Sequence, residues 1–330
     1  MVTGWRNLSV LIAGCGSIGK RHARVLRELG VSDLRACDPL QSQRESIAAQ
    51  SPGLILHETF EEGLRAKPDV LLIGTPPKMH IPMAIQAMRA GCHVLCEKPL
   101  ADSTAGYEEL AQAIAETQRK FMVALCFRYH EGHRRARAIL DSGRLGRLVS
   151  IRALVGEHLP DVRPDYRDLF SAKDSGAFDL MHEVDLAIWY AGQPVREVAC
   201  FSGTYSEIGI EAPDVVELLI DFADRRMASI HLDFFQQPRR RLTELMFTGG
   251  VVTVEFARWD RCTVSCYEAA KREWETDEFA TDRDDMFRAE DRDFLQPVAA
   301  NGTVTCDAAE ALKSVDVVEK AIFASRRSMT

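Results

Sequence analysis

The chain has 330 residues, enough for a large buried core and, at the usual domain size, two domains. Its formal charge of -8 argues against a nucleic-acid surface, which needs clustered positive charge to displace counterions. A hydrophobic content of 46% with 27% charged residues is that of a soluble globular protein, and no window approaches the ~20 apolar residues of a membrane span.

In chain order, the first predicted element is an apolar strand, Ser9-Val-Leu-Ile-Ala, which runs into Gly14-Cys-Gly16-Ser17-Ile18-Gly19 and then a helix. Glycines at such a turn let backbone N–H groups and a helix N-terminus approach a pyrophosphate, because no side chain holds the ligand away. Ile18, His22, Val25, Leu26 and Leu29 recur on one helical face, and Gly30 stands where a helix C-terminus favours glycine. Since this first apolar run carries the glycine turn, it is not read as a signal peptide, and the cytoplasm is the expected compartment.

A second strand, Leu34 to Cys37, ends in Asp38, nineteen residues after Gly19. A carboxylate there accepts both ribose hydroxyls of an adenosine and repels a 2′-phosphate, which favours NAD over NADP. The same Asp38 also suits the start of a turn with Pro39, and Arg44 beyond it is a group that suits a phosphate. Gly14-xxxx-Gly19-Lys20 meets most of the phosphate-loop pattern of nucleotide triphosphatases as well. That pattern next needs a Ser or Thr hydroxyl for magnesium, and this chain supplies Arg21.

The alternation of strand and helix then continues. Helices are predicted over 43–50, 60–66, 83–90 and 107–119, and strands over 54–56, 70–73, 93–96 and 122–125. Such alternation means an α/β, doubly wound parallel sheet, the Rossmann arrangement, over residues 1–126. From residue 127 to 330 the pattern changes. The runs 148–155, 195–201, 215–222, 227–235, 242–247 and 251–256 follow one another with no helix between most of them, and Thr248-Gly249-Gly250 reads as a hairpin turn. Ala228, Ile230, Leu232 and Phe234 alternate with Ser229, His231, Asp233 and Phe235, which predicts one large, mostly antiparallel open sheet with two unlike faces in an α+β domain. A broad sheet with one uncovered face finds its cover in another subunit, so a homodimer or homotetramer through this sheet is expected. An amphipathic helix is predicted over about 307–325, able to close over either domain.

Arg239-Arg240-Arg241 is the only compact basic run and reads as a solvated hairpin end. Nine cysteines show no CxxC pair, and Cys92/Cys96 and Cys262/Cys266 lack a matching His pair, so reduced core thiols and no metal are expected.

Ligands of an open parallel sheet lie beyond the carboxyl ends of its strands. Two such ends are distinctive: Gly74-Thr75-Pro76-Pro77-Lys78-Met79-His80 and Glu97-Lys98-Pro99. Prolines that end strands and a surface lysine are the bland reading. The functional one sets the Lys98 ammonium at a strand tip, where it exchanges a proton with a substrate hydroxyl as hydride leaves the carbon, with Glu97 holding it in place. A further predicted helix, Ser175 to Trp189, carries Asp179, His182 and Asp185 three residues apart among Leu180, Met181, Val184, Ala187 and Ile188. Polar groups in so apolar a helix cost roughly 1–3 kcal/mol each when unpaired, so they are either satisfied core groups or working ones. Acid–base chemistry favours the second for His182.

Taken together, Gly14-Cys-Gly-Ser-Ile-Gly19 with Arg21-His22, Thr75-Pro-Pro with His80, Glu97-Lys98-Pro99, Arg128-Tyr129, Gly143-Arg-Leu-Gly146 and His182-Glu-Val-Asp185 resemble the glucose-fructose oxidoreductase/inositol dehydrogenase/rhizopine catabolism (Gfo/Idh/MocA) family over essentially the whole chain. The resemblance implies a Rossmann domain, a C-terminal sheet domain used for oligomer contacts, and hydride transfer between a nicotinamide and a carbinol carbon of a sugar or cyclitol. It implies catalytic roles for Lys98 and His182, a cis Lys98-Pro99 peptide, and a joining loop at Arg128 and Tyr129 that touches substrate or cofactor. On this reading Gly14, Gly16, Ser17, Ile18, Gly19, Asp38, Thr75, Pro76, His80, Glu97 and Lys98 bind NAD. The substrate set is Lys98, Arg128, Arg163, Tyr166, Asp179 and His182. The family pattern has an Asp four residues before the histidine, where this chain has Phe178; Asp179, three before, lies on nearly the same helix face and either substitutes or leaves the histidine without that partner.

The segment from Glu157 to Lys173 is dense in groups that bind polyols or carboxylates, and Arg163 and Lys173 suit an acidic sugar or a nucleotide phosphate. A solvated loop is the equally open alternative. Competing functions are a regulator that senses dinucleotide or sugar without turnover, and an NAD-dependent glycosidase with no net redox. The presence of both Lys98 and His182 favours a dehydrogenase.

Overall fold

The structure, a computed structural model, describes residues 4–170 and 175–328. Along the chain run β1 (Ser9–Ala13), α1 (Ser17–Glu28), β2 (Asp33–Cys37), α2 (Gln41–Gln50), β3 (Ile55–His57), α3 (Phe60–Arg65), β4 (Val70–Ile73), α4 (His80–Arg89), β5 (His93–Glu97), α5 (Tyr107–Thr117) and β6 (Phe121–Ala124). There follow α6 (Glu131–Ser142), β7 (Leu148–Gly156), α7 (Leu159–Val162), α8 (Tyr166–Phe170), α9 (His182–Ala191), β8 (Val195–Gly203), β9 (Val215–Phe222), β10 (Met227–Asp233), β11 (Arg240–Phe247), β12 (Gly250–Glu255), β13 (Arg261–Glu268), β14 (Glu273–Ala280), α10 (Arg283–Ala300) and α11 (Ala308–Ser328). Two compact units result. The first takes the chain up to Tyr129 together with Asp284–Val315; the second takes His130–Arg283 and the residues from Asp316 on.

In the first unit six parallel strands form one sheet in the order β3-β2-β1-β4-β5-β6. That order reverses direction between β1 and β4, the switch point where open α/β sheets bind ligands. All residues of β1, β4 and β6 are buried, as parallel strands covered on both faces must be, which is why they read as unbroken apolar runs. At the end of α1, Gly30 takes φ +86, and Val31 N–H closes the helix onto Leu26 C=O at 3.0 Å. Helix α10 returns to this unit with Asp284 ion-paired to Arg21 at 3.2 Å and Asp291 bonded to His22 at 2.9 Å.

In the second unit eight strands form a sheet in the order β14-β13-β12-β11-β7-β10-β9-β8, antiparallel except for β7 beside β10. One face is apolar: Ala228, Ile230 and Leu232 are fully buried, with Val216, Leu218 and Ile220 beside them. The opposite face carries Phe201 and Leu219, exposed by 65% and 48%, and His231 between Glu217 (2.6 Å) and Asp233 (3.0 Å). The hydrogen bond that His231 donates to Asp233 leads in raising His231 to about 9 against the opposing burial, so the ring is charged on this face. Thr248 and Gly249 turn the hairpin between β11 and β12.

Two expectations change. The helix predicted over 175–189 is interrupted: Gly176–Leu180 forms a 3-10 turn and α9 begins only at His182. The cause is local, since Gly176 takes φ +50 and Ala177 N–H donates to Pro213 C=O at 2.7 Å, while a Cβ on Gly176 would lie 2.1 Å from that oxygen. Arg241 is not a solvated hairpin end but is 3% exposed and ion-paired with the buried Glu183 at 2.7 Å. Burial pushes the Glu183 carboxyl up and the Arg241 charge pulls it back. Helices α6, α7, α8 and α10 and strands β13 and β14 go beyond the predicted elements. All nine cysteines are buried free thiols, and burial raises Cys15, Cys37, Cys200 and Cys262 to about 12.

Candidate active site

The turn after β1 is shaped by two close approaches. Gly14, at φ +95, lies where a Cβ would sit 2.7 Å from Gly74 C=O, and a Cβ on Gly19 would sit 2.0 Å from Gly14 C=O. Gly16 is the opposite case, with nothing within 4 Å of its Cβ position, and it caps α1 without a side-chain hydrogen bond. Ser17 is exposed and Ile18 half-buried, so the first turn of α1 presents N–H groups beside open space. The residues present therefore fit a pyrophosphate.

Asp38 starts the turn its position suggested and also ties down the glycine turn. Its Oδ1 accepts Leu40 N–H at 2.9 Å, starting the turn, and its Oδ2 accepts Cys15 N–H at 2.9 Å, tying the glycine turn to the tip of β2. Carboxylate oxygens have further lone pairs, so these bonds leave acceptor capacity for ribose hydroxyls. Arg44 donates to the Asp38 and Pro39 carbonyls at 2.7 and 3.1 Å, which commits it to the backbone.

At the tip of β4, Thr75 is half-buried and Pro76 exposed, whereas His80 is 1% exposed and bonds Thr75 C=O and Pro99 C=O at 2.8 Å each. At the tip of β5, Glu97 is buried, Lys98 half-buried, and the Lys98-Pro99 peptide is cis. Glu97 Oε2 accepts Lys98 N–H at 3.0 Å. At the end of the first unit Arg128 pairs with Glu310 at 3.2 Å, and Tyr129 O–H donates to Asp293 at 2.6 Å.

The remaining expected residues belong to the second unit. His182 is half-buried as the first residue of α9, and Asp179, on the preceding 3-10 turn, accepts Ser175 O–H at 2.7 Å. Asp185 is 1% exposed. Arg163 is exposed beside Asp165 at 3.5 Å, and the buried Tyr166 donates its hydroxyl to Ile208 C=O at 2.7 Å. Lys173 lies outside the described residues. Within the first unit the glycine turn, Asp38, Thr75, His80, Glu97 and Lys98 thus share the carboxyl ends of β1, β2, β4 and β5.

Sequence reasoning missed Glu290 and Asp291. They are fully buried on α10, and with His22 they place potential ligand atoms within 4.8 Å of one another. The signal available was a Met286, Phe287, Phe294, Leu295 period with carboxylates inside it.

Comparisons with known proteins identify the family and the fold. A model of the Gfo/Idh/MocA oxidoreductase family, described as an NAD-binding Rossmann fold, matches residues 8–125, and a model of the Gfo/Idh/MocA C-terminal domain matches 133–253. An inositol 2-dehydrogenase of Corynebacterium glutamicum is 28% identical over 263 residues, 76% of this chain and 74% of that protein. The crystal structure of myo-inositol 2-dehydrogenase from Lactobacillus plantarum superposes with a TM-score of 0.83 at 20% identity, covering 98% of each chain. That of the WlbA dehydrogenase from Bordetella pertussis, in complex with NADH and UDP-GlcNAcA, gives 0.81 at 22% identity, covering 98% of this chain and 97% of that one.

Proposed function

Because this chain belongs to the Gfo/Idh/MocA family of NAD-binding oxidoreductases, we propose that it transfers hydride between NAD and a secondary alcohol carbon of a cyclitol or sugar. The observation that carries this reading is the lysine at the tip of β5, backed by Glu97, on the same sheet edge as the open glycine turn and Asp38. NAD supplies the hydride acceptor when bound. The chain's own residues do the rest: the first-turn N–H groups of α1 take the pyrophosphate, Asp38 the ribose hydroxyls, and Thr75 and Pro76 border the ring end of the cofactor. Lys98 exchanges the hydroxyl proton, and His182 hydrogen-bonds that hydroxyl or relays its proton, with Asp179 beside it in sequence. Arg128, Arg163 and Tyr166 select the substrate. The cyclitol class is supported by the inositol 2-dehydrogenase relative, which spans three quarters of the chain.

A panel of cyclitols, sugars and nucleotide sugars, each offered with NAD and with NADP and followed by ultraviolet absorbance, tests the reading. NADH formation is expected with at least one polyol and faster than NADPH formation. A protein that binds NADH but oxidises none of the panel overturns the dehydrogenase reading, and a faster NADP reaction removes Asp38 from ribose recognition.

The open face of the eight-stranded sheet, with Phe201 and Leu219 exposed beside the charged His231, closes in this reading against a second copy of the chain. Light scattering is expected to give the mass of a dimer or tetramer, and a monomer at working concentration rejects the contact. Nine buried free thiols suit the reducing cytoplasm.

A further inference from the structure

Two buried imidazoles converge on the tip of β5 from separate elements of the first unit. His22, fully buried on α1 with the Phe287 ring edge-on at 5.5 Å, has its Nε2 3.0 Å from Glu97 Oε1 and its Nδ1 2.9 Å from Asp291 Oδ1. Glu97 passes the constraint on, since its other oxygen accepts Lys98 N–H at 3.0 Å. Beyond the lysine, the His80 ring sits between two carbonyl acceptors, Nδ1 2.8 Å from Pro99 C=O and Nε2 2.8 Å from Thr75 C=O, and its N–H donates to one of them according to its tautomer. The segment Glu97-Lys98-Pro99 is therefore fixed at both ends.

A carboxylate only accepts, so the ring of His22 bonds Glu97 and Asp291 together as an imidazolium. Burial opposes that charge, but the Asp291 carboxylate by charge and hydrogen bond, and then Glu97, hold the ring protonated well above its usual range. Glu290 lies against this cluster with neither carboxyl oxygen hydrogen-bonded among the described residues; burial, then Glu97 and Asp291, push it well up, so it is the neutral acid. The spacing of His22, Glu290 and Asp291 would admit a cation, yet an imidazolium has no lone pair to ligate one. The cluster holds protons and braces a strand end.

We propose that His22 and His80 are positioning residues for Lys98, fixing through Glu97 and the Pro99 carbonyl the backbone that carries the reacting ammonium group. This rests on the acid–base reading of Lys98 above. Fixing the Cα on both sides leaves only the lysine side-chain torsions to be set by substrate, and misplacement of a catalytic group by about 1 Å costs on the order of 10²-fold in rate.

The test uses the whole protein labelled with 15N-lysine, with the Lys98 amide assigned by its loss in Lys98→Met. In His22→Gln the Lys98 amide is expected to exchange with solvent at least ~10-fold faster while those of Lys78 and Lys120 keep their rates. On the polyol giving the fastest NADH formation, kcat is expected to fall ~10–100-fold in both His22→Gln and His80→Gln, with KM within about threefold. If every lysine amide exchanges together in His22→Gln, Asp291→Asn, which keeps the shape and drops the charge, takes its place in the same comparison. Unchanged Lys98 exchange in a folded variant, or faster exchange with full kcat, overturns the proposal. Retained turnover in Lys98→Met instead overturns the acid–base reading, and the exchange rates still report the brace.

Discussion

Lys98→Met is expected to lower kcat by ~10²–10⁴-fold, the range that a positioned acid–base group supplies, while the Kd for NADH stays within about threefold. Methionine keeps most of the length and volume of the lysine side chain and removes the nitrogen, so the half-buried site at the end of β5 keeps its packing. Glu97 continues to accept the backbone N–H of residue 98, because that bond does not involve the side chain. Cofactor contacts made by the glycine turn and Asp38 are untouched by the substitution. Stopped turnover with normal NADH binding therefore isolates the proton exchange. Turnover at the wild-type rate takes Lys98 out of the chemistry altogether.

His182→Gln is the second large effect, with kcat expected to fall by about 10²-fold or more and the melting temperature to stay close to that of the parent. Glutamine still offers a donor and an acceptor to a hydroxyl but cannot take up its proton at neutral pH. His182 is half-buried at the first position of α9, whereas its neighbours Glu183, Val184 and Asp185 are buried. A histidine whose work was packing would show the reverse pattern, lost stability at nearly full kcat. Calorimetry beside steady-state kinetics separates the two.

Much of the first unit was legible because its physics is local. Val10 to Ala13, Val70 to Ile73 and Phe121 to Ala124 are apolar at every position, as strands covered on both faces must be, and the glycine turn and Gly30 mark the ends of α1. The alternation of Ala228, Ile230 and Leu232 with Ser229 and His231 likewise fixed which face of the second sheet is buried. Strand β14, Glu-Trp-Glu-Thr-Asp-Glu-Phe-Ala, was not legible because it is a solvated edge with hardly a buried side chain to set a period. The break before α9 depends on Pro213, far along the chain from Gly176, and Arg241 looked solvated because its partner Glu183 is 58 residues away. Helix α10 was hidden by its own chemistry: Asp284, Glu290 and Asp291 are buried where an amphipathic pattern would show apolar residues. The candidate site divides in the same way. Its motif-bearing tips could be read from residue order, but the groups that steady them could not.

The bond between His22 and Asp291 joins residues 269 positions apart, although both belong to the first unit. During synthesis the imidazole is made early and its carboxylate partner late, after every strand of the eight-stranded sheet has been synthesised. Until then the nucleotide-binding half lacks its last helices, and a truncated version ending near Tyr129 would leave a histidine in its interior facing Glu97 alone. The half that emerges first is completed only after most of the other has been made, so the buried ion pair behind the β5 tip forms only when nearly the full chain exists.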